Sequence, residues 1–165
     1  MTNPAGVKRQ LLGVYDRALV KPVAEVLNAL HSEHVMVVHS ADGLDEISIA
    51  APTYVAELKN GEVNEYVIEP AALGVDTSPI DTLAVADSAD SLALIKAALL
   101  GSKDQSQRAK LAAEMIACNA GAAIYIAGNA SDLKQGVAIA QDVIASGLAL
   151  EKMRELAEFS QSVIG

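Results

Sequence analysis

The first third of the chain alternates between short apolar runs and a segment with helical spacing. Residues 10–15 and residues 34–39 are apolar runs of strand length, and each predicts a buried strand. Asp16 is placed to cap the intervening helix, and Pro22 falls in its first turn, where a missing N–H is harmless. The apolar residues with helical spacing are Leu19, Val23, Val26, Leu27 and Leu30. Strand, helix and strand over about 30 residues predict a parallel pair with a right-handed crossover.

An antiparallel hairpin is predicted next, over residues 53–68. Its centre carries Asn60-Gly61, and Asn-Gly between apolar segments is the strongest short-range signal for a hairpin turn. Residues 69–79 are rich in turn formers, so we expect them to form a surface connection.

The rest of the chain predicts helices, over residues 88–100, 106–127, 132–146 and 148–163. The second is apolar on nearly all sides, which indicates a buried central helix, whereas the last is amphipathic. We therefore predict one α/β domain over residues 1–165. Its parallel sheet carries an added antiparallel hairpin and is flanked by helices in three α/β/α layers.

Composition narrows the possible partners. The chain has 165 residues with a formal net charge of −9, from 21 acidic and 12 basic residues, and no basic cluster is visible. Nucleic-acid binding depends on neutralising phosphates with Lys and Arg, so we expect no nucleic-acid partner. An anionic substrate would need a metal ion, helix N-termini or basic groups from another segment.

Cysteine usage and hydropathy suggest a cytoplasmic protein. Cys118 is the single cysteine, so an intramolecular disulfide is impossible and nothing points to an oxidising compartment. The N-terminus has no apolar stretch typical of a signal peptide. The longest apolar run, residues 112–127, is interrupted by Glu114 and Asn119 and is short for a membrane span, so we expect no membrane partner.

The most chemically suggestive segment directly follows the second predicted strand. Residues 39–46 contain Asp42, Asp45 and Glu46, with Gly43 relaxing the backbone. In open α/β sheets, ligands bind beyond the carboxyl ends of the strands. Mg²⁺ favours carboxylates together with substrate phosphates. The residues alone leave two interpretations open, a magnesium site or an ordinary solvated acidic loop.

The other reactive side chains favour structural roles. His31, His34 and His39 lack the paired spacing of a zinc site, although His39 could contact a ligand. Cys118 in the apolar helix is expected to be an inert core thiol, and Asn119 is expected to satisfy a local hydrogen bond. The sequence contains no nucleophile elbow, no Gly-x-Gly-x-x-Gly and no phosphate loop, so we name no catalytic residue.

Taken together, several segments resemble the anthranilate phosphoribosyltransferases, which share their fold with the pyrimidine nucleoside phosphorylases. They are residues 2–5, 10–16, 37–39, 42–48, 52–58, 119–128 and 147–152, in the order and spacing of the family. Asp-Gly-Leu-Asp-Glu at residues 42–46 is the most diagnostic. Two departures are Ser40, where the family usually has Gly, and Ala50-Ala51, where it has a Thr-Gly-type pair.

The resemblance implies transfer of a phosphoribosyl group from phosphoribosyl pyrophosphate (PRPP) to anthranilate in tryptophan biosynthesis. It also implies that Asp45 and Glu46 hold the Mg²⁺ bound to the pyrophosphate. In the family, a preceding half carries a helical domain, through which the homodimer forms, and the main PRPP and anthranilate residues. That half is not visible in this sequence, so we expect the chain alone to be inactive.

Two alternatives remain open. The chain could be a non-catalytic α/β binding or interaction domain, or a relative of the pyrimidine nucleoside phosphorylases, for which the shared fold is the sole argument.

Overall fold

Four strands form one mixed sheet in the order β1-β2-β3-β4 in the computed structural model, which describes residues 6–101 and 106–164. The strands are β1 (Arg9–Gly13), β2 (His34–Ser40), β3 (Thr53–Lys59) and β4 (Glu62–Ile68). The helices are α1 (Val20–Ala29), α2 (Ser88–Leu99), α3 (Gln107–Ala127), α4 (Leu133–Ala145) and α5 (Leu148–Ile164). Short 3-10 helices occupy Arg17–Leu19, Pro70–Leu73 and Ile80–Leu83. The family-like segment at residues 2–5 lies outside the described residues.

The strand pairing matches the predicted topology. β1 and β2 are parallel, whereas β2 with β3 and β3 with β4 are antiparallel. Asn60 and Gly61 close the hairpin with φ values of 55° and 82°, which is the left-handed conformation that a type I′ turn requires at both positions.

Side chains at the helix starts and glycines after the helix ends set the helix boundaries. The Asp16 carboxylate accepts a hydrogen bond from the Ala18 N–H at 2.9 Å, ahead of α1. Ser106 and Asp132 cap α3 and α4 in the same way. Gly128 follows α3 with φ 87°, in the left-handed conformation that commonly terminates helices.

Hydrophobic cores lie on both faces of the sheet and give the predicted three layers. Alternate residues of β2 point to opposite faces: Val35 and Val37 pack with α1, while Met36 and Val38 pack with the α3–α4 side. All four of these side chains are at most 1% exposed, so β2 is a central strand buried on both faces.

Helix α3 is the central helix of the second core. It contacts β1, β2, α2 and α4. Its 21 residues extend beyond the apolar run over residues 112–127. Within the described part of the chain, α3 alone is long and apolar enough to cross a membrane. Core helices of soluble proteins satisfy the same criterion, and the packing of α3 between the sheet and α4 accounts for its hydrophobicity.

Burial in two segments adds detail to the predictions. The connection over residues 69–79 runs over the surface, as predicted, but it buries Pro70, Leu73 and Val75 against the core. Helix α5, which is predicted to be amphipathic, buries Leu150 alone among its described side chains. Its apolar stripe thus extends beyond the part of the core that it covers.

Candidate functional site

The acidic loop connects β2 to β3 at one edge of the sheet. Because β1 and β2 are parallel, their carboxyl ends meet at this edge, next to the loop. Asp42, Asp45 and Glu46 are all exposed there. The structure therefore places the acidic side chains where ligands bind in open α/β sheets.

Backbone hydrogen bonds give the loop a compact turn. The Ser40 N–H donates to Leu44 O at 2.8 Å, and the Gly43 N–H donates to Ser40 O at 2.9 Å. Gly43 has φ 92°, a conformation that L side chains rarely adopt, which explains why glycine stands here. Ser40 itself is fully buried, and its Oγ has no hydrogen-bond partner of normal geometry among the described residues.

Asp42 is engaged in holding this turn together. The Ser48 hydroxyl donates to Asp42 Oδ2 at 2.7 Å and accepts from the Ala50 N–H at 2.9 Å. Burial raises the pKa of Asp42, but the nearby Ser40 and Ser48 hydroxyls and backbone N–H groups outweigh it and lower the pKa below the ordinary value. Asp42 is therefore a structural carboxylate, and two of the three acidic residues remain for ligand binding.

Asp45 and Glu46 are those two. Neither side chain makes a hydrogen bond or ion pair with any other part of the chain that the structure describes. Partial burial, and then the negative charge of Asp45, raise the pKa of Glu46. The described residues contain no cluster of three or more His, Cys, Asp or Glu side chains fit for a metal. Two free carboxylates nevertheless match Mg²⁺, which takes its other ligands from substrate phosphates and water.

Contacts from distant segments fix the backbone beneath this pair. Asn119 in α3 accepts a hydrogen bond from the Ile47 N–H at 2.9 Å and donates to Ile47 O at 3.0 Å. It also makes the local bond that we expected, to Met115 O at 3.1 Å. In addition, a Cβ added to Gly13 would lie 1.6 Å from Asp45 O, so the end of β1 directly touches the loop.

The histidines occupy structural positions. The Nδ1–H of His39 donates to Val14 O at 2.9 Å, which ties the end of β2 to the residue after β1. His31 follows α1 with φ 61°. His34 begins β2, at the opposite end of that strand from the acidic loop.

A second polar cluster surrounds Glu57 on β3. His34 Nε2–H donates to Glu57 Oε1 at 2.7 Å, as does the Tyr125 hydroxyl at 2.8 Å, while the Tyr66 hydroxyl donates to Glu57 Oε2 at 2.8 Å. Lys59 Nζ in turn donates to the Tyr125 hydroxyl at 2.9 Å. No sequence pattern indicates this cluster, because its members come from three strands and α3.

Cys118 has the expected role of a core thiol. Its side chain is fully buried, and burial, together with the nearby charge of Glu114, raises the pKa of the thiol to about 12. Since the thiolate is the reactive species, this residue is chemically inert near neutral pH.

Comparison with known proteins shows the family to which the chain belongs. Residues 1–150 match the sequence profile of the "Glycosyl transferase family, a/b domain". The chain is similar to the anthranilate phosphoribosyltransferase of Teredinibacter turnerae, with 56% identity over 97% of the chain and 46% of the relative. It is 55% identical to that of Saccharophagus degradans, with the same two coverages. It thus spans about half the length of the curated relatives it matches.

Solved structures agree on the fold. Anthranilate phosphoribosyltransferase from Thermus thermophilus superposes with a TM-score of 0.82 at 32% identity, over 96% of this chain and 45% of that one. The Saccharomyces cerevisiae enzyme in complex with PRPP and Mg gives a TM-score of 0.72 at 22% identity, over 87% and 40% of the two chains. The four-stranded sheet and its flanking helices are therefore a known arrangement.

Proposed function

Because the chain belongs to the glycosyl transferase family through its a/b domain, we propose that it forms part of an anthranilate phosphoribosyltransferase. In that reaction the amine nitrogen of anthranilate bonds to the ribose carbon of PRPP as the bond from that carbon to pyrophosphate breaks. One amine proton passes to solvent. A neutral aromatic amine is already a nucleophile near pH 7, so the proposal requires no strong catalytic base from this chain.

The observation that carries this proposal is the free carboxylate pair at the carboxyl edge of the sheet. Asp45 and Glu46 would hold Mg²⁺ together with the pyrophosphate group, and the Saccharomyces cerevisiae anthranilate phosphoribosyltransferase, which has the same fold, has a solved structure in complex with PRPP and Mg. Bound there, Mg²⁺ would offset the negative charge that develops on the departing pyrophosphate. Asp42, Gly43 and Ser48 shape the turn that presents the pair.

The chain supplies one part of the binding site in this proposal. Its formal net charge is −9, and PRPP and anthranilate are both anionic, so basic groups or helix N-termini from additional chain would have to contact them. The curated relatives are about twice as long, which leaves room for such groups. We therefore expect no turnover by the isolated chain.

A cytoplasmic location is consistent with small soluble substrates and with a single cysteine thiol.

Complementation tests the proposal. The chain would be mixed with the part of the Teredinibacter turnerae enzyme that it does not match, and PRPP- and Mg²⁺-dependent loss of anthranilate fluorescence would be followed. We expect turnover, which should fall at least about 100-fold in Asp45→Asn/Glu46→Gln, because metal stabilisation of the transition state contributes several kcal/mol. Glu25→Gln/Glu62→Gln removes the same charge from exposed positions elsewhere and should keep the activity.

The other outcomes separate the alternatives. No turnover in a folded, complemented sample would contradict the proposal. If Asp45→Ala then changed stability alone, a binding or interaction domain would be favoured. Phosphorolysis of thymidine or uridine would favour a relative of the pyrimidine nucleoside phosphorylases.

A further inference from the structure

Asn119 is an unusual residue for its position in α3. Asn119 is half-buried, and residues 117, 118, 121 and 122 of the same helix are buried and apolar or glycine, so the part of its amide that is removed from water needs hydrogen-bond partners. Its side chain makes three hydrogen bonds: Oδ1 accepts from Ile47 N–H, and Nδ2 donates to Ile47 O and Met115 O. Asn119 thus binds both polar groups of one residue that lies 72 positions earlier in the chain.

Ile47 directly follows the proposed ligands. Its side chain is fully buried in the α3–α4 core, so its backbone is fixed by packing as well as by Asn119. The absence of a side chain at Gly13 also lets β1 contact Asp45 O directly. The two residues with exposed carboxylates are thereby held between β1 and α3, although neither side chain is itself restrained.

We infer that Asn119 is a positioning residue for the carboxylates of Asp45 and Glu46, and that it sets the affinity of the loop for a divalent cation. This inference rests on the proposed function, since it needs a cation to bind there. A rotation of the Ile47 peptide would turn the preceding residues and separate the two carboxylates. Groups that orient metal ligands typically change metal affinity by about 10- to 100-fold when removed.

The test uses Mn²⁺ alone as a paramagnetic probe of the 165-residue chain. Amide NMR signals of the loop should broaden as Mn²⁺ is added, and Asp45→Asn/Glu46→Gln should abolish that broadening. Asn119→Leu keeps the size of the side chain and removes both bonds to Ile47. We expect it to raise the Mn²⁺ concentration for half-maximal broadening by about 10-fold and to speed hydrogen exchange of the Ile47 amide.

Two further variants separate positioning from stability. Asn119→Gln keeps an amide donor and acceptor on a side chain one methylene longer and adds no charge that would itself attract Mn²⁺, so its loss of affinity should be smaller than that of Asn119→Leu. Ile126→Ala removes a buried side chain from the same helix, far along it from Asn119, and should lower the melting temperature without changing Mn²⁺ binding.

The outcomes distinguish failure of the inference from failure of the proposed site. Unchanged Mn²⁺ binding in Asn119→Leu would overturn the positioning role and leave the metal site standing. Equal weakening by Ile126→Ala would also overturn it, because general destabilisation would then explain the effect. No loop broadening in the unaltered chain would overturn the metal site and, with it, the role of Asn119.

Discussion

Glu57 is the most heavily bonded carboxylate that the structure describes. Its two oxygens accept from His34, Tyr125 and Tyr66, and its side chain is 13% exposed. Burial raises the pKa of Glu57, but these three hydrogen bonds together outweigh burial and lower the pKa below its ordinary value of 4.5. Burial, and then the negative charge of Glu57, raise the pKa of Tyr66, which therefore stays a hydroxyl donor.

A lowered carboxyl pKa in the folded state makes the free energy of unfolding depend on pH. The ionised form of Glu57 contributes stability that is present above the unfolded-state pKa and is lost as pH falls through the lower, folded-state pKa. We expect Glu57→Gln to lower the free energy of unfolding by about 2 kcal/mol near pH 7, because hydrogen bonds to a charged acceptor are replaced by weaker ones. The cost should shrink as pH falls below 4.5, the ordinary pKa of a glutamate carboxyl, and through the lower, folded-state pKa.

Urea unfolding over a pH series measures this dependence. Glu62→Gln changes an exposed carboxylate on the adjacent strand and should leave the pH profile nearly unchanged. A Glu57→Gln chain whose deficit stays constant down to about pH 3 would show that the ionised carboxylate adds nothing beyond an amide.

Residue chemistry was only partly visible in the sequence. The residues alone place Asp45 and Glu46 in an acidic loop that follows a strand pattern, and the family resemblance singles out these two of its three carboxylates. The local bond of Asn119 was foreseen, but its bonds to Ile47 were not, since no pattern links residues 72 apart. The Glu57 cluster was missed for the same reason, as Tyr125 lies 68 residues away from its partner.

At the scale of elements, α3 and α4 cross at a point where two glycines meet. An added Cβ on Gly136 would lie 2.2 Å from Gly121 O, and one on Gly121 would lie 2.5 Å from the Val137 backbone N. Both obstacles are backbone atoms, which cannot move aside as a flexible side chain would. The small side chains let the two helix backbones approach and bury Cys118 and Ala122 against the sheet side of the core.

This close crossing reverses the usual effect of a helical glycine. By helix propensity alone, Gly136→Ala would stabilise the protein by about 1 kcal/mol. We expect it instead to lower the free energy of unfolding by about 1–3 kcal/mol, because the methyl group overpacks the crossing. Urea unfolding gives the sign directly, and Ala123→Gly on the exposed side of α3 calibrates propensity in this helix. If Gly136→Ala raised the free energy of unfolding, the prediction would be wrong, because α3 and α4 would then move apart at little cost.

Elements with strong local signals were predicted well. The hairpin followed from Asn60-Gly61, because few residue pairs adopt two successive left-handed conformations. Helices α3 and α4 begin within one residue of their predicted starts, where Ser106 and Asp132 cap them. The burial of residues 70, 73 and 75 was not predicted, since turn-forming residues mark irregular backbone but say nothing about what packs over it.

At the scale of the whole molecule, the described chain leaves two surfaces uncovered, namely one strand edge and one apolar helix stripe. The outer edge of β1 pairs with no strand among the described residues. In α5, Leu156, Phe159 and Val163 fall on one helical stripe, and each is 66% exposed. Contiguous exposed apolar patches and free strand edges both promote association. In the longer relatives, additional chain is available to cover such surface.

We therefore expect the 165-residue chain to self-associate at about 100 μM, and α5 to be the main cause. Phe159→Glu places a charge in the centre of the α5 stripe and should shift the light-scattering mass after size-exclusion chromatography toward the monomer. Gln161→Glu adds the same charge two residues on, away from the stripe, and should leave the association unchanged. Association that survives Phe159→Glu would assign it to the open edge of β1, whereas a monomeric unaltered chain would contradict the prediction altogether.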